Sequence, residues 1–144
     1  MRVLVQRAKD AKCVVNKKIT GEIDQGLVIF VGFTETDNKD TIIKMVNKII
    51  NLRIFPDENE VMNLSVLDVK QKILSISQFT LYADTTKGNR PSYIKAMNGT
   101  KAKLLYDYFN KCLGAYVPLA TGVFGANMEI TLTNMGPTTI LLER

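Results

Sequence analysis

The chain of 144 residues, 46% hydrophobic and 23% charged, has the composition of one soluble globular domain spanning residues 1–144. Its apolar runs are shorter than the roughly 18 residues of a membrane span, and its first residues lack the pattern of an export signal, so we expect a cytoplasmic protein that enters no membrane. The absence of histidine excludes a Ser-His-Asp or Cys-His hydrolase and removes the commonest metal ligand.

The net charge of +5 is concentrated in residues 87–103, a stretch without Asp or Glu. Of the 19 basic residues in the chain, the 14 outside this stretch balance the 14 acidic ones. A local basic patch favours an anionic partner such as a phosphate backbone, although a solubilising surface explains the charge equally well. The basic residues of the stretch are Lys87, Arg90, Lys95, Lys101 and Lys103.

The two cysteines, Cys13 and Cys112, stand among apolar residues and far apart in the sequence. This setting favours buried thiols over a disulfide or a metal site. No Gly-rich phosphate loop follows a predicted strand, which excludes a doubly wound nucleotide fold. We therefore expect neither a cofactor nor a metal.

The first part of the chain has the alternation of β-strands. Strands are predicted at residues 1–8, 12–15 and 19–23, with a tight turn at residues 16–18. The continuous apolar run at residues 27–33 predicts a strand that is buried on both faces. These strands are expected to be antiparallel.

A helical spacing of apolar residues follows at residues 42–50, with Asp40 as the predicted N-cap. A short strand at residues 53–55 and a turn at residues 56–59 come next, and residues 63–69 are ambiguous. A second helix is predicted at residues 101–113, with Asn98 or Thr100 as its cap and Gly114 at its end. Two last strands, at residues 128–134 and 138–142, are separated by a break at Gly136-Pro137.

A predicted strand beginning near Ile73 ends in a cluster of polar side chains. Hydroxyls of Ser75, Ser77 and Thr80 and the amide of Gln78 surround Phe79 in the sequence. Strand ends that open into loops are where a rigid scaffold presents polar groups to a ligand, so we place the chemistry here. The alternative is a core strand whose hydroxyls bind neighbouring backbone.

Seven or eight strands and two helices indicate a mixed α/β protein with β/β/α layers. Most strands precede or follow the helices along the chain, which favours curved, barrel-like, antiparallel-rich sheets with both helices on one side.

The motifs Ser77-Gln78-Phe79-Thr80-Leu81 and Gly136-Pro137, at this spacing, resemble those of D-aminoacyl-tRNA deacylases of the D-tyrosyl-tRNA(Tyr) deacylase type. The resemblance runs through the chain and includes Gln6-Arg7, residues 51–55, 62–64, 88–92 and 106–109, and Thr121-Gly122 with Phe124. The chain departs from the family pattern at Val123, Met135 and Thr138. The last two flank the Gly-Pro motif and bear on fine positioning, whereas Val123 removes a basic residue that could contact RNA.

The resemblance implies an enzyme that hydrolyses the ester between a D-amino acid and the terminal adenosine of tRNA, and also the glycyl ester on tRNA(Ala). It implies a homodimer in which Gly136 and Pro137, joined by a cis peptide bond, enter the active site of the partner and reject L-amino acids by shape. Arg7 would hold the carbonyls of this motif through its guanidinium group. A surface salt bridge is the alternative role for Arg7.

Two mechanisms remain for such a site. Thr80 could act as the nucleophile, but the sequence identifies no base to activate it. Alternatively, the 2′-hydroxyl of the terminal adenosine assists attack by water, while Ser77, Gln78, Phe79 and Thr80 supply position and oxyanion donors. We favour the second mechanism.

Other classes of protein remain as alternatives. A non-catalytic tRNA-binding or RNA-binding module of the same fold would explain the basic stretch but not the two motifs. A hydrolase of small esters that uses Thr80 would act without RNA. A structural β-protein would explain the core hydroxyls alone.

Overall fold

The computed structural model describes residues 1–144. It contains seven strands, two α-helices and one 3₁₀ turn. In chain order these are β1 (Arg2–Val15), β2 (Lys18–Gly32), α1 (Lys39–Ile50), β3 (Phe55–Pro56), β4 (Met62–Leu64), β5 (Lys72–Ser77), the 3₁₀ turn (Phe79–Tyr82), α2 (Gly99–Gly114), β6 (Leu119–Thr121) and β7 (Glu129–Glu143). Neither helix has the length and apolar character needed to cross a bilayer.

The main sheet has five strands in the order β6-β5-β2-β1-β7. The long strand β1 pairs antiparallel with β2 and β7, whereas β5 is parallel to both β2 and β6. The short strands β3 and β4 form a separate antiparallel pair. The predicted mixed α/β fold with a largely antiparallel sheet is confirmed, and the carboxyl ends of β2 and β5 lie at the same edge.

In three places, two strands that were predicted separately form one continuous strand in the structure. The strands predicted at residues 1–8 and 12–15 form β1, in which Asp10 has a φ of 51° and the pairing with β7 shifts between Lys9 and Lys12. The tight turn that follows is confirmed, since Asn16 and Lys17 both have positive φ and Val15 pairs with Lys18. The strands predicted on either side of residue 25 join in the same way as β2.

The predicted break at Gly136-Pro137 is wrong, because β7 continues through it. The pairing with β1 slips instead: Gln6 pairs with Thr139 and Ala8 with Asn134. Residues 135–138 therefore stand opposite the single residue Arg7. Such bulges are common beside active sites, where they redirect the backbone.

Both helices pack on one face of the sheet, as predicted. One cluster of 22 buried residues joins α1, α2 and the helix-facing side chains of β1, β2 and β5. A smaller cluster of seven buried residues lies on the opposite face, where Met128, Ile130 and Leu132 of the β7 region cover it in part. Cys13 is buried in this second cluster, whereas Cys112 is half-buried. The sheet is therefore covered by a core on each face.

The helix caps differ from prediction at α1. Asn38, not Asp40, is the N-cap, and its side chain accepts a hydrogen bond from the Thr41 N–H at 3.0 Å. Asn98 caps α2 in the same way, because its side chain accepts a hydrogen bond from the Thr100 N–H at 3.0 Å. Asn98 was one of the two predicted caps. Both residue types are favoured at this position, so spacing alone did not separate Asn38 from Asp40.

We expect Gly26→Ala to destabilise the protein strongly, because Gly26 begins the pairing of β2 with β5. Its φ is +146°, and a Cβ there would lie 1.8 Å from the Lys72 carbonyl oxygen. The free energy of unfolding should fall by about 3 kcal/mol or more, measured by urea denaturation. Gly99→Ala is the control, since no atom lies within 4 Å of its Cβ position. Equal stability of the two variants would contradict the close approach at Gly26.

Candidate active site

The polar cluster predicted at residues 77–80 lies at the carboxyl end of β5, beside the end of β2. Ser77 is the last residue of β5, and the backbone N–H of Gln78 donates to the Val31 carbonyl at 2.7 Å. The chain then turns through the 3₁₀ segment Phe79–Tyr82, in which the Gln78 side-chain amide donates to the Thr80 hydroxyl oxygen. The carboxyl ends of adjacent parallel strands are a common place for ligand sites in α/β sheets.

Two backbone N–H groups of the turn are free. The Leu81 N–H donates to the Gln78 carbonyl at 3.3 Å and the Ala83 N–H to the Thr80 carbonyl at 3.0 Å, whereas the N–H groups of Phe79 and Thr80 have no acceptor in the chain. The first amides of any helical turn lack partners within it. Two adjacent donors at the start of the turn therefore have no partner within the fold.

A cavity of about 530 Å³ lies against this turn. Ser77, Gln78 and Phe79 form one side of it, and the segment from Phe124 to Met128, with Ile130, forms another. Thr80, Arg7, Gly136 and Pro137 do not line it. Sequence reasoning did not place residues 125–130 at the site, because they reach the turn only through the folded sheet.

The buried hydroxyl of Ser75 has a structural partner. Ser75 Oγ donates to the Tyr106 hydroxyl at 3.3 Å, and that hydroxyl donates to the Ser75 carbonyl at 2.8 Å. Burial raises the pKa of Tyr106, which keeps the phenol neutral. The Tyr106 ring also packs against Phe124 of the cavity wall at 5.8 Å between centroids. Ser75 is therefore a core residue, but its hydroxyl binds the Tyr106 side chain and not the neighbouring backbone that the alternative predicted.

The Gly136-Pro137 peptide bond is cis, and both residues are exposed. Arg7 holds this bulge: its Nε donates to the Met135 carbonyl at 3.2 Å and its Nη1 to the Ile54 carbonyl at 2.7 Å. The carbonyl it reaches is therefore that of Met135, not those of Gly136 or Pro137. Arg7 forms no ion pair, so the alternative of a salt bridge is wrong.

The bulge and the turn lie far apart in one chain. The strands β1 and β2 separate β7 from β5, which places the bulge about 14 Å away across three strand spacings. Arg7, opposite the bulge, pairs with Leu27, whereas Ser77 pairs with Val31, four residues further along β2. The structure therefore does not bring Gly136-Pro137 against residues 77–80 of the same chain.

The basic stretch is largely neutralised by carboxylates from outside it. Lys95 pairs with Asp84 at 2.8 Å, Lys101 with Glu35 at 3.2 Å and Lys103 with Asp107 at 2.6 Å. The hydrogen bond from Lys95, together with those from Thr86, holds the pKa of Asp84 far below its usual range. Lys87 and Arg90 are the two predicted cations without an ion pair, and both lie in the exposed loop that the Asp84–Ser92 bridge closes. The predicted basic patch therefore has two cations, Lys87 and Arg90, that no carboxylate neutralises.

Of the three departures from the family pattern, two lie in the bulge. Thr138 is buried and its N–H donates to the Asn134 side chain at 3.2 Å, whereas Met135 is exposed. Val123 is exposed and directly precedes Phe124 of the cavity wall. The chain has no group of three or more Cys, Asp or Glu side chains placed to bind a metal ion.

Comparisons with known proteins agree with this architecture. The family model described as D-Tyr-tRNA(Tyr) deacylase matches residues 4–143. The solved structure of a c-Myc DNA unwinding element binding protein is 36% identical, with a TM-score of 0.95 over 100% of this chain and 99% of that one. A probable eukaryotic D-amino acid tRNA deacylase has a TM-score of 0.84 over 98% of this chain and 97% of that one; at 17% identity it supports the fold alone. Because the family model covers nearly the whole sequence, the chain belongs to the D-Tyr-tRNA(Tyr) deacylase family and is a hydrolase of D-aminoacyl-tRNA.

Proposed function

We propose that residues 1–144 act as one editing domain that hydrolyses D-aminoacyl-tRNA, and glycyl-tRNA(Ala), to the free amino acid and tRNA. The observation that carries the proposal is the pair of free N–H groups at Phe79 and Thr80 beside a cavity of about 530 Å³. Such donors stabilise the oxyanion that forms when a nucleophile attacks an ester. An aminoacylated tRNA as substrate agrees with the cytoplasmic location expected from the sequence.

In this mechanism the protein supplies position and the RNA supplies the reactive hydroxyl. The ester carbonyl oxygen accepts hydrogen bonds from the Phe79 and Thr80 amides, and the 2′-hydroxyl of the terminal adenosine assists the attacking water. The Thr80 hydroxyl contacts the Gln78 amide, which is a donor and no base. This contact argues against Thr80 as an activated nucleophile and thus against the hydrolase of small esters.

We expect Thr80→Ala to keep activity within about tenfold of the wild type, because the Thr80 amide remains. D-tyrosyl-tRNA with a 2′-deoxy terminal adenosine should react about 100-fold more slowly or worse, since it lacks the assisting hydroxyl. Both rates are measured as release of free D-tyrosine. An inactive Thr80→Ala enzyme together with normal turnover of the deoxy substrate would disprove this mechanism.

The Gly136-Pro137 bulge supports a site completed by a second subunit. Both residues are exposed, lie far from residues 77–80 of their own chain and are fixed by Arg7 through Met135. In a homodimer, the bulge of one chain can cover the turn of the other. Carbonyls there would hold the amine of the bound amino acid and leave no space for an L side chain. Glycine has no side chain, so it would be accepted together with D-amino acids.

Mixed dimers test whether the site is shared. Phe79→Pro removes one of the two free amides at the first position of a turn, where proline is tolerated, and Gln78, with a φ of −147° and a ψ of 84°, is already outside the α region that a following proline disfavours. Gly136→Val blocks the bulge, where φ is +116° and a Cβ would lie 2.7 Å from Arg7 Nη2. Each variant alone should have little activity. Dimers reassembled from an equal mixture should regain about one quarter of wild-type activity, because half of them contain one intact site.

The control for the first variant is Phe79→Ala, which keeps the amide and should retain most of the activity. Recovery in the mixture must also be selective, with D-tyrosyl-tRNA cleaved and L-tyrosyl-tRNA left intact. If mass measurements show that mixed dimers have formed and activity still does not return, the shared site is disproved. A site formed within one chain predicts this absence of recovered activity.

The loop with Lys87 and Arg90 is proposed to contact tRNA phosphates. Replacing either residue by Gln should raise KM and lower the slope of log KM against log salt by about 1, because each lost contact releases fewer counterions. Lys103→Gln is the matched control, since Asp107 already neutralises Lys103 at 2.6 Å. Equal slopes in all three variants, or a KM that does not depend on salt, would argue against this contact.

The second candidate is nucleic-acid binding without catalysis, which the name of the DNA unwinding element binding protein favours for that neighbour. The free amides beside the cavity have no role in that alternative. Release of D-tyrosine from D-tyrosyl-tRNA by the purified protein distinguishes the two functions.

A further inference from the structure

Three residues on neighbouring strands form a row beneath the turn Phe79–Tyr82. Arg2 of β1 pairs with Gly32 of β2 on one side and with Glu143 of β7 on the other. The row lies at the end of the sheet where β2 stops and the turn begins. We call these three residues the seat of the turn.

Gly32 gives the turn room to approach the sheet. A Cβ at this position would lie 2.8 Å from the Gln78 carbonyl oxygen, 3.2 Å from Leu81 Cβ and 3.5 Å from Tyr82 Cδ2. The first distance is shorter than real Cβ contacts, and the atom it meets is backbone, which cannot rotate away. Any larger residue at position 32 must therefore push the turn off the sheet.

Arg2 holds the opposite end of the same turn. Its Nη1 donates to the Leu81 carbonyl at 2.8 Å, and its guanidinium carbon lies 4.8 Å from the centre of the buried Tyr82 ring. The last carbonyls of a helical turn have no partner within it, and an Arg side chain is well suited to bind them. Glu143 fixes Arg2 in turn, since Arg2 Nε donates to its carboxylate at 2.6 Å.

The ring that Arg2 covers is held as a neutral phenol. Burial, and secondarily the negative charge of Asp37, raises the pKa of Tyr82 to about 12. The Arg2 guanidinium opposes this shift only in part. The stacked pair is therefore a cation over a neutral aromatic ring, which is the favourable arrangement.

We propose that Arg2 is a positioning residue for the active site, acting through Leu81 and Tyr82 on the amides of Phe79 and Thr80. The turn has only four residues, so a shift of its held end moves the two donors as well. A displacement of about 1 Å in a catalytic group can lower a rate 100-fold. The catalytic consequence rests on the proposed function, whereas the placement of the turn does not.

The experiment compares Arg2→Gln, Arg2→Lys and Glu143→Gln with the wild type, and uses Lys9→Gln as the matched control on the same strand. Lys9 is half-buried, pairs with Gln25 and Thr133, and does not contact the turn. Steady-state kinetics on D-tyrosyl-tRNA are measured at a temperature where circular dichroism shows each variant folded. Hydrogen exchange is measured at the Ala83 amide, whose bond to the Thr80 carbonyl reports the geometry of the turn.

Arg2→Gln should lower kcat about tenfold or more and change KM by less than about twofold, because Arg2 reaches the substrate only through the turn. Exchange at Ala83 should become about tenfold faster. Arg2→Lys should be intermediate, since it keeps the charge but loses the fork of donors, and Glu143→Gln should have the smallest effect of the three. Lys9→Gln should match the wild type in both measurements.

Unchanged kcat in folded Arg2→Gln, or an effect on KM alone, would overturn the proposal. If the wild type releases no D-tyrosine, the proposed function fails. In that case hydrogen exchange alone tests whether Arg2 holds the turn, and unchanged exchange at Ala83 in Arg2→Gln would overturn that role. If Arg2→Gln does not fold, Arg2→Lys and Glu143→Gln decide the question by the same two measurements.

Discussion

The parallel pairing of β5 with β2 is the constraint on which the site depends. It runs from Gly26 opposite Lys72 to Val31 opposite Ser77, and the Gln78 N–H extends it by one more bond to the Val31 carbonyl. Apolar side chains of β5 alternate between the two cores along this length. A slip of one residue would exchange the two faces and carry the turn away from the cavity, so the burial of β5 also fixes the donors at its end.

Much of this architecture could be predicted from the sequence, because the signals were local. Alternation and turn residues gave the strands, and Asn16-Lys17 gave the hairpin turn, since both positions require the positive φ that Asn tolerates. Helical spacing gave both helices to within a few residues of their ends. The polar cluster at Ser77–Thr80 was found for a similar reason: the period of a buried strand ends there. Assignment of the reaction needed more than these patterns, and rested on the resemblance to a family.

The features that were missed depend on residues distant in the sequence. The basic stretch seemed free of carboxylates along the chain, yet Glu35 reaches Lys101 from the loop before α1. The bulge opposite Arg7 is a property of the pairing of β1 with β7, and β7 read alone shows only a proline that should interrupt a strand. Gly32 has no unusual φ and stands in an apolar run. Its small size matters only because the Gln78 carbonyl packs closely against it in the folded protein.

The free donors at Phe79 and Thr80 belong to the main chain, and this changes how the site responds to genetic variation. Almost every replacement of these two side chains leaves an N–H in place, and proline is the exception. Substitutions that remove these donors from their position must therefore act indirectly, at residues that pack against the turn. A scan of all single substitutions would find tolerance at the proposed substrate contacts and intolerance one layer deeper, so that the sensitive positions would mark the residues on which the turn rests.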